Sequence, residues 1–273
     1  MSHPHDGLAS ELLRASHPGP SAAVTLLTAG LAATVGHSWA SGLLVTAAVL
    51  TGQLSIGWSN DLVDADRDRL VGRQDKPAAT GSLSLRVLRA ATAAAVVATL
   101  VLSLLCGLRS GLVHLVLLVG SGWAYNLGLK RTTLSPLPYA VAFGALPSVV
   151  TLALATPRLA PLWMTVTGAL LGMAAHFLNV LPDLADDAST GVLGAPHRLG
   201  EAPTRVIALT LLTAGTVVAV VGPGRPPLWA GVGAGACVVL GVVGAWSRGR
   251  LPFVIGATIA LVDVVMLVVR GRA

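Results

Sequence analysis

The stretch SLRVLRAATAAAVVATLVLSLLCG, residues 84–107, decides the fold. Beyond Arg89 it carries no charge as far as Gly107. Its length matches the ~20 apolar residues that an α-helix needs to cross the hydrocarbon of a bilayer. Strands of a membrane barrel are alternating segments of ~10 residues, and this run neither alternates nor stops there. Runs of the same kind recur at 20–36, 38–58, 111–129, 135–155, 160–181, 203–222, 227–246 and 251–270, broken by Gly, Pro and charged clusters. The chain of 273 residues is 54% hydrophobic and 11% charged, with a mean hydropathy of +0.77. Soluble domains carry about 25% charged residues, so a water-soluble enzyme and a disordered chain are both excluded. The expectation is an all-α membrane protein: a bundle of about nine transmembrane helices with two long cytoplasmic loops carrying aspartate-rich motifs. It forms a single polytopic membrane domain over 1–273, with 1–19 as an N-terminal cytoplasmic segment and 20–270 as the bundle.

The formal charge of +6 does not point to nucleic acid. The basic residues lie mostly between apolar runs, where they set orientation and meet the lipid bilayer's anionic leaflet. Placing the N-terminus and the even-numbered loops on one side collects thirteen of the eighteen Lys and Arg residues there. The positive-inside rule makes that side cytoplasmic, with the N-terminus inside and the C-terminus outside. The N-terminus lacks the basic-then-apolar form of a cleaved signal, and residues 7–16 suit a short interfacial helix. Cys106 and Cys237 lie in apolar runs without partners at metal-ligand spacing and are expected as small core residues.

Two loops, about 59–83 and about 182–202, are longer than the rest and fall on the cytoplasmic side. They hold most of the acid. Of twelve acidic residues, seven are Asp61, Asp64, Asp66, Asp68, Asp183, Asp186 and Asp187. In Asn60-Asp61-Leu62-Val63-Asp64-Ala65-Asp66-Arg67-Asp68, a helix stacks Asp61, Asp64 and Asp68 on one face at i, i+3 and i+7. In Asn179-Val180-Leu181-Pro182-Asp183-Leu184-Ala185-Asp186-Asp187, the spacing i, i+4, i+8 places Asn179, Asp183 and Asp187 on one face, subject to a kink at Pro182. Each window ends an even-numbered span, which suggests an internal pseudo-repeat.

Stacked like charges destabilise a bare helix, so these groups call for a cation. All-oxygen ligation selects a hard metal, and Mg2+ commonly combines one or two carboxylates with substrate phosphates. Two facing clusters of this kind would clamp a diphosphate. The competing reading is a solvated acidic face paired with Arg67, Arg69 and Arg73; two such windows on one side of the membrane weigh against it. Arg67, Arg73 and Lys76 follow the first window, Lys130 and Arg131 lie near Tyr125 and Asn126 in the fourth loop, and Arg198 follows the second window. A diphosphate leaving group needs such charge in addition to metal.

Asn60-Asp61-x-x-Asp64-x-x-x-Asp68 resembles the first aspartate-rich motif of the UbiA superfamily of intramembrane prenyltransferases, and Asp183-x-x-x-Asp187 resembles the second. The segment Arg73-Gln74-Asp75-Lys76-Pro77-Ala78-Ala79-Thr80-Gly81 is similar to the one that follows the family's first motif. The resemblance covers nearly the whole chain. It implies Mg2+-dependent transfer of a prenyl group from an isoprenyl diphosphate to a lipophilic, possibly aromatic, acceptor. Asp61, Asp64 and Asp68 with Asn60 would form one metal face, and Asp183 and Asp187, with Asp186 and Asn179 as further ligands, the other. The family often places a Tyr and a Lys three residues apart between the motifs; here Tyr125 and Lys130 have four residues between them. Lys130 is expected to act in catalysis, and Asn60, Arg67, Arg73, Lys76, Tyr125 and Arg198 on the diphosphate.

Polar groups inside spans are each a hypothesis. Asp263 lies mid-span, His114 and His176 suit helix–helix contacts, Gln53 and Ser55 could line a pocket, and Trp58 and Trp123 suit interfacial anchoring. Two other functions compete. A UbiA-type terpene cyclase would begin with the same ionisation and need no acceptor. A cation-coupled transporter would use intramembrane acids near the midplane, whereas the acids here concentrate at span ends.

Overall fold

A computed structural model describes residues 7–184, 191–247 and 251–271, with Asp183 in its backbone only. Among the described residues all regular structure is helical. A short helix α1 (Leu8–Ala15) precedes α2 (Pro18–Val35) and α3 (Trp39–Leu70). After the small α4 (Pro77–Thr80) come α5 (Leu85–Leu105) and α6 (Leu108–Leu127). Then follow α7 (Leu137–Leu152), α8 (Leu162–Val180), the short α9 (Ala195–Leu199), α10 (Glu201–Val221), α11 (Leu228–Trp246) and α12 (Leu251–Arg270). Eight of these are long and apolar enough to cross a membrane, and α7 is a shorter apolar helix of 16 residues with Pro147 inside it. In α6 the coil widens to a π-helical turn over His114–Val119.

The helix starts follow local chemistry. The Ser38 hydroxyl accepts from the Ser41 N–H at the head of α3, and Ser84 does the same for Val87 at the head of α5. The end of α3 departs from the sequence expectation of a loop beginning near residue 59. The helix continues to Leu70, because nothing between Trp58 and Val71 breaks it; the first left-handed residue is Gly72, at φ 72°. Its 32 residues span about 48 Å, well beyond a hydrocarbon core of ~30 Å. The aspartate window therefore rides on a rigid helical extension. The second window differs too. Pro182 ends the α-helix after Val180, and Leu181–Asp183 form a 3-10 turn. The unbroken i, i+4, i+8 face expected for Asn179, Asp183 and Asp187 is thus interrupted; Asp186 and Asp187 lie outside the described residues.

Apolar packing builds the bundle around two cores that α8 links. One joins α2, α3, α6, α7 and α12 around Leu31, Val49, Leu118, Leu146 and Met164, and the other joins α8, α10, α11 and α12 around Leu171, Leu209, Leu212 and Ile259. A Cβ on Gly172 would strike the Tyr139 carbonyl, so that glycine sets the close approach of α7 and α8. The outer faces, such as Val97, Leu100, Val101 and Leu104 on α5 and Val239, Val242 and Val243 on α11, are exposed and apolar, as a bilayer requires.

Candidate active site

The last turns of α3 bring the first aspartate window to one place. Asp61, Asp64 and Asp68 are 1%, 2% and 3% exposed, so the face predicted from their spacing is a buried one. Asp66 points away, with its side chain 90% exposed and paired with Arg69 at 3.0 Å. Three buried carboxylates in an apolar bundle require partners, and cations from three directions supply them. Lys76, at the head of α4, donates to Asp61 Oδ1 at 2.6 Å. Lys130 donates to both oxygens of Asp64, at 2.7 and 2.6 Å, and lies 3.4 Å from Asn60 Oδ1. Arg67 donates to Asp68 Oδ1 through Nε and Nη2, at 3.2 and 2.9 Å, and its Nη2 is 3.2 Å from Asp64 Oδ2. Burial lowers the ammonium pKa of Lys130, and the Asp64 carboxylate opposes that shift.

A fourth group, one the sequence reading did not single out, comes from the N-terminus. His17 Nε2 stands 3.2 Å from Asp61 Oδ1, 2.9 Å from Lys76 Nζ and 3.3 Å from Asn60 Nδ2. Its backbone is left-handed, at φ 53°, the one such non-glycine among the described residues. A conformation of that kind costs about 1–3 kcal/mol. The junction is held by its surroundings. Trp58 Nε1 donates to Leu12 O at 2.9 Å, and Ser21 Oγ to Ser16 O at 2.8 Å. A Cβ on Gly57 would meet Ser16 O at 2.5 Å, so only glycine lets the α1–α2 junction lie on α3. The signal available in sequence was Ser16-His17-Pro18-Gly19-Pro20: proline at the first helical position makes residue 17 a helix cap on the side of the acidic windows.

Lys130 also links the site to the segment after the second window. A short 3-10 turn, Leu129–Arg131, carries it past Gly128. Gly194 packs against its carbonyl, and Ser135 Oγ accepts from the Ala195 N–H at 3.0 Å and pairs with His176 Nε2 at 3.0 Å. Tyr125 lies edge-on to Tyr139 and His176, with ring centroids 5.2 and 5.6 Å away. The Tyr139 hydroxyl bonds the side chains of Asn179 and Tyr125. Asn179 and Tyr125 are therefore joined to each other through Tyr139 in a polar aromatic cluster.

Other residues expected at the site have partners of their own. Arg73 pairs with Asp75 through two contacts of 2.8 Å, and Arg198 is exposed and donates to Leu193 O at 3.2 Å. Ser55 receives Trp123 Nε1 at 3.4 Å. Gln53, with Leu118, Phe143 and Leu146, lines a small apolar cavity, two turns of α3 deeper than Asp61. His114 pairs with Ser103 at 2.7 Å, joining α6 to α5. Cys106 and Cys237 are free thiols.

Among the described residues no three side chains of His, Cys, Asp or Glu close around one point. Asp61 and Asp68 are seven residues apart, about 10 Å along the helix. An ion held here needs donors from elsewhere. One donor atom is already free: Asp61 Oδ2 is buried without a hydrogen-bond partner.

Comparison with known proteins agrees with this architecture. The model of the UbiA prenyltransferase family matches residues 21–261. No curated protein matches the chain. A structure of digeranylgeranylglyceryl phosphate synthase superposes with a TM-score of 0.71 at 13% identity, covering 97% of this chain and 98% of the other. A UbiA homolog from Archaeoglobus fulgidus bound to GPP and Mg2+ gives 0.68 at 15%, covering 96% and 100%. The apo UbiA homolog from Aeropyrum pernix K1 gives 0.69 at 16%, covering 97% and 98%. These are likenesses of fold.

Proposed function

The chain belongs to the UbiA prenyltransferase family, and from that premise we propose that it transfers a prenyl group from an isoprenyl diphosphate to a lipophilic acceptor, releasing diphosphate with Mg2+ as cofactor. The observation that carries this reading is the buried face of Asp61, Asp64 and Asp68, balanced by Lys76, Lys130 and Arg67. A surface that stores this much opposite charge at a helix end suits a ligand that brings both signs, a metal ion and a polyanion.

The donor set fits Mg2+. It is all oxygen, it includes the unpartnered Asp61 Oδ2, and its spread along the helix leaves positions for phosphate oxygens. Asp61, Asp64 and Asp68 with Asn60 would hold one side, and Asp183 and Asp187, with Asp186 and Asn179, the other. Two structures of a UbiA homolog from Archaeoglobus fulgidus, one bound to GPP and Mg2+ and one to DMAPP and Mg2+, support the reading. When bound, Mg2+ supplies charge neutralisation to the departing diphosphate. Lys130, Arg67 and Lys76 do the same from the protein, turning from their aspartates towards phosphate oxygens as charge grows there. Arg73, now paired with Asp75, and Arg198, now donating to Leu193 O, would turn towards the diphosphate when it binds. The apolar bundle around the Tyr125 cluster and Gln53 would receive the tail and keep water from the allylic cation. The Lys and Arg distribution supports a cytoplasmic position for the N-terminus and both aspartate windows.

Purified protein with Mg2+ and a panel of prenyl diphosphates, with and without membrane-extract lipids, tests the proposal. The expected result is diphosphate release together with a prenylated acceptor in the mass spectrum. A cyclic hydrocarbon formed without acceptor replaces transfer by cyclisation. Absence of release from every diphosphate overturns the reading.

A further inference from the structure

We propose that His17 is a positioning residue of the diphosphate site: its imidazole holds Lys76 and Asn60 in place, so the N-terminal junction sets how tightly the site grips a pyrophosphate group. The inference rests on the function proposed above and extends it to a segment outside both aspartate motifs.

The geometry of Nε2 carries the assignment. Lys76 Nζ, 2.9 Å away, only donates. Asn60 turns its Oδ1 towards Lys130 and its Nδ2 towards His17, at 3.3 Å. Asp61 Oδ1 stands 3.2 Å from the same ring nitrogen, so three groups of the site converge on one imidazole. Lys76 is then fixed between Asp61 Oδ1 and His17 Nε2, and Asn60 between His17 and Lys130. A single imidazole orients groups on both flanks of the first aspartate motif.

The backbone argues for the same role. Left-handed φ at a non-glycine residue persists only where the surroundings enforce it. Here the Gly57–Ser16 approach and the Trp58–Leu12 bond hold the turn, and the side chain is directed onto Asp61. His17 is also open to approach, with its side chain 39% exposed against 1% for Asp61. It stands at the mouth of the buried carboxylate face.

The test separates side chain from backbone. His17→Gly relieves the left-handed turn and removes the acceptor; His17→Asn accepts the same turn and restores a carbonyl acceptor; His17→Ala removes the acceptor and leaves the strain. Binding of inorganic pyrophosphate with Mg2+ is measured by calorimetry in detergent, beside KM and kcat for a prenyl diphosphate. Loss of one charge-assisted hydrogen bond predicts about tenfold weaker pyrophosphate binding and about tenfold higher KM in His17→Ala and His17→Gly. The expectation for kcat is a change of less than about threefold, and for His17→Asn a return to within about threefold of the parent.

Unchanged binding in His17→Gly overturns the proposal, as does full recovery by glycine but not asparagine. If His17→Ala fails to fold, the glycine and asparagine pair decides alone. If the parent binds pyrophosphate but turns over no prenyl diphosphate, the transfer reading fails and the binding series still judges His17. If the parent binds no pyrophosphate, both fall.

Discussion

At the end of α3, Asp61, Asp64 and Asp68 are buried among Lys76, Lys130 and Arg67; in α12, Asp263 is buried as deeply and meets a threonine hydroxyl. Among the described residues no Lys or Arg pairs with Asp263, and its Oδ2 has no hydrogen-bond partner and faces Gly215. The difference follows from position. A helix end is within reach of loops, and those loops bring Lys76 from the head of α4, Lys130 from the turn after α6 and the imidazole of His17 from the α1–α2 junction. Mid-span, the neighbours are Leu212, Ile259 and the rest of the second core, which have no charge to give. The first region can exchange its present cations for a metal and a polyanion. The second ties α12 to α10 by one hydrogen bond and has nothing to exchange.

The largest effects are expected at the first region. Asp64→Ala is predicted to reduce prenyl diphosphate-dependent pyrophosphate release by about 100-fold or more, with the protein still inserting into membranes. Asp183→Ala is predicted to match it, since the proposal gives the two windows equal parts. Retained turnover in either variant breaks the metal assignment and, with it, the contrast with Asp263.

Next in size is the cost of separating a pair. Lys130 is 5% exposed and Asp64 2%. Removing Lys130 leaves buried Asp64 with only Arg67, 3.2 Å from its Oδ2 and already shared with Asp68, so Lys130→Met is predicted to destabilise the protein by about 3 kcal/mol. Adding Asp64→Asn removes the stranded charge and is predicted to recover more than half of that loss. Denaturant unfolding in detergent micelles, run as a double-mutant cycle, measures the coupling. Additive losses would show that the two residues do not act as a pair.

Much of this was legible in the sequence because hydropathy and charge are local properties. The run 84–107 reads as a span without reference to any other residue, and Asp61, Asp64 and Asp68 fall on one face by counting. What remained hidden depends on contacts between distant segments. Nothing near residue 17 announces that its imidazole meets Asp61 and Lys76; that requires the fit of Ser16 on Gly57. The joining of Tyr125 to Asn179 through Tyr139 depends on how closely Gly172 lets α7 and α8 approach. The length of α3 is hidden for a different reason. A cluster of charge ends the hydrocarbon-crossing part of a helix and not its hydrogen bonds, which stop only at Gly72. At the second window Pro182 was visible as a kink, and the structure shows it breaking the helix after Val180.

A smaller effect is expected at Asp263. The Thr216 hydroxyl has one proton and lies within hydrogen-bonding reach of both Asp263 Oδ1 and the Leu212 carbonyl, at 3.2 Å from the latter. An amide at position 263 can donate to that hydroxyl and free its proton for Leu212. Asp263→Asn is therefore predicted to change stability by no more than about 1 kcal/mol, with pyrophosphate release within about threefold of the parent. A loss of turnover comparable to that of Asp64→Ala would place Asp263 in the chemistry and erase the distinction between the two regions.

The smallest effect belongs to an ion pair that shares the loop with Lys76 but not its burial. Asp75 has a side chain 60% exposed, and the Arg73 guanidinium beside it lowers its carboxyl pKa from 3.8 to about 2. A carboxylate with a depressed folded-state pKa contributes stability that is complete above the unfolded value of 3.8 and fades as pH falls through about 2. Water screens an exposed pair, so Asp75→Ala is predicted to cost less than about 1 kcal/mol, with further weakening in high salt. The difference between parent and variant should be flat from about pH 5 to 8 and shrink only under strong acid. A cost at pH 7 as large as that of Lys130→Met would mean that burial is not what separates structural from functional charge in this loop, because the two pairs differ chiefly in their access to water.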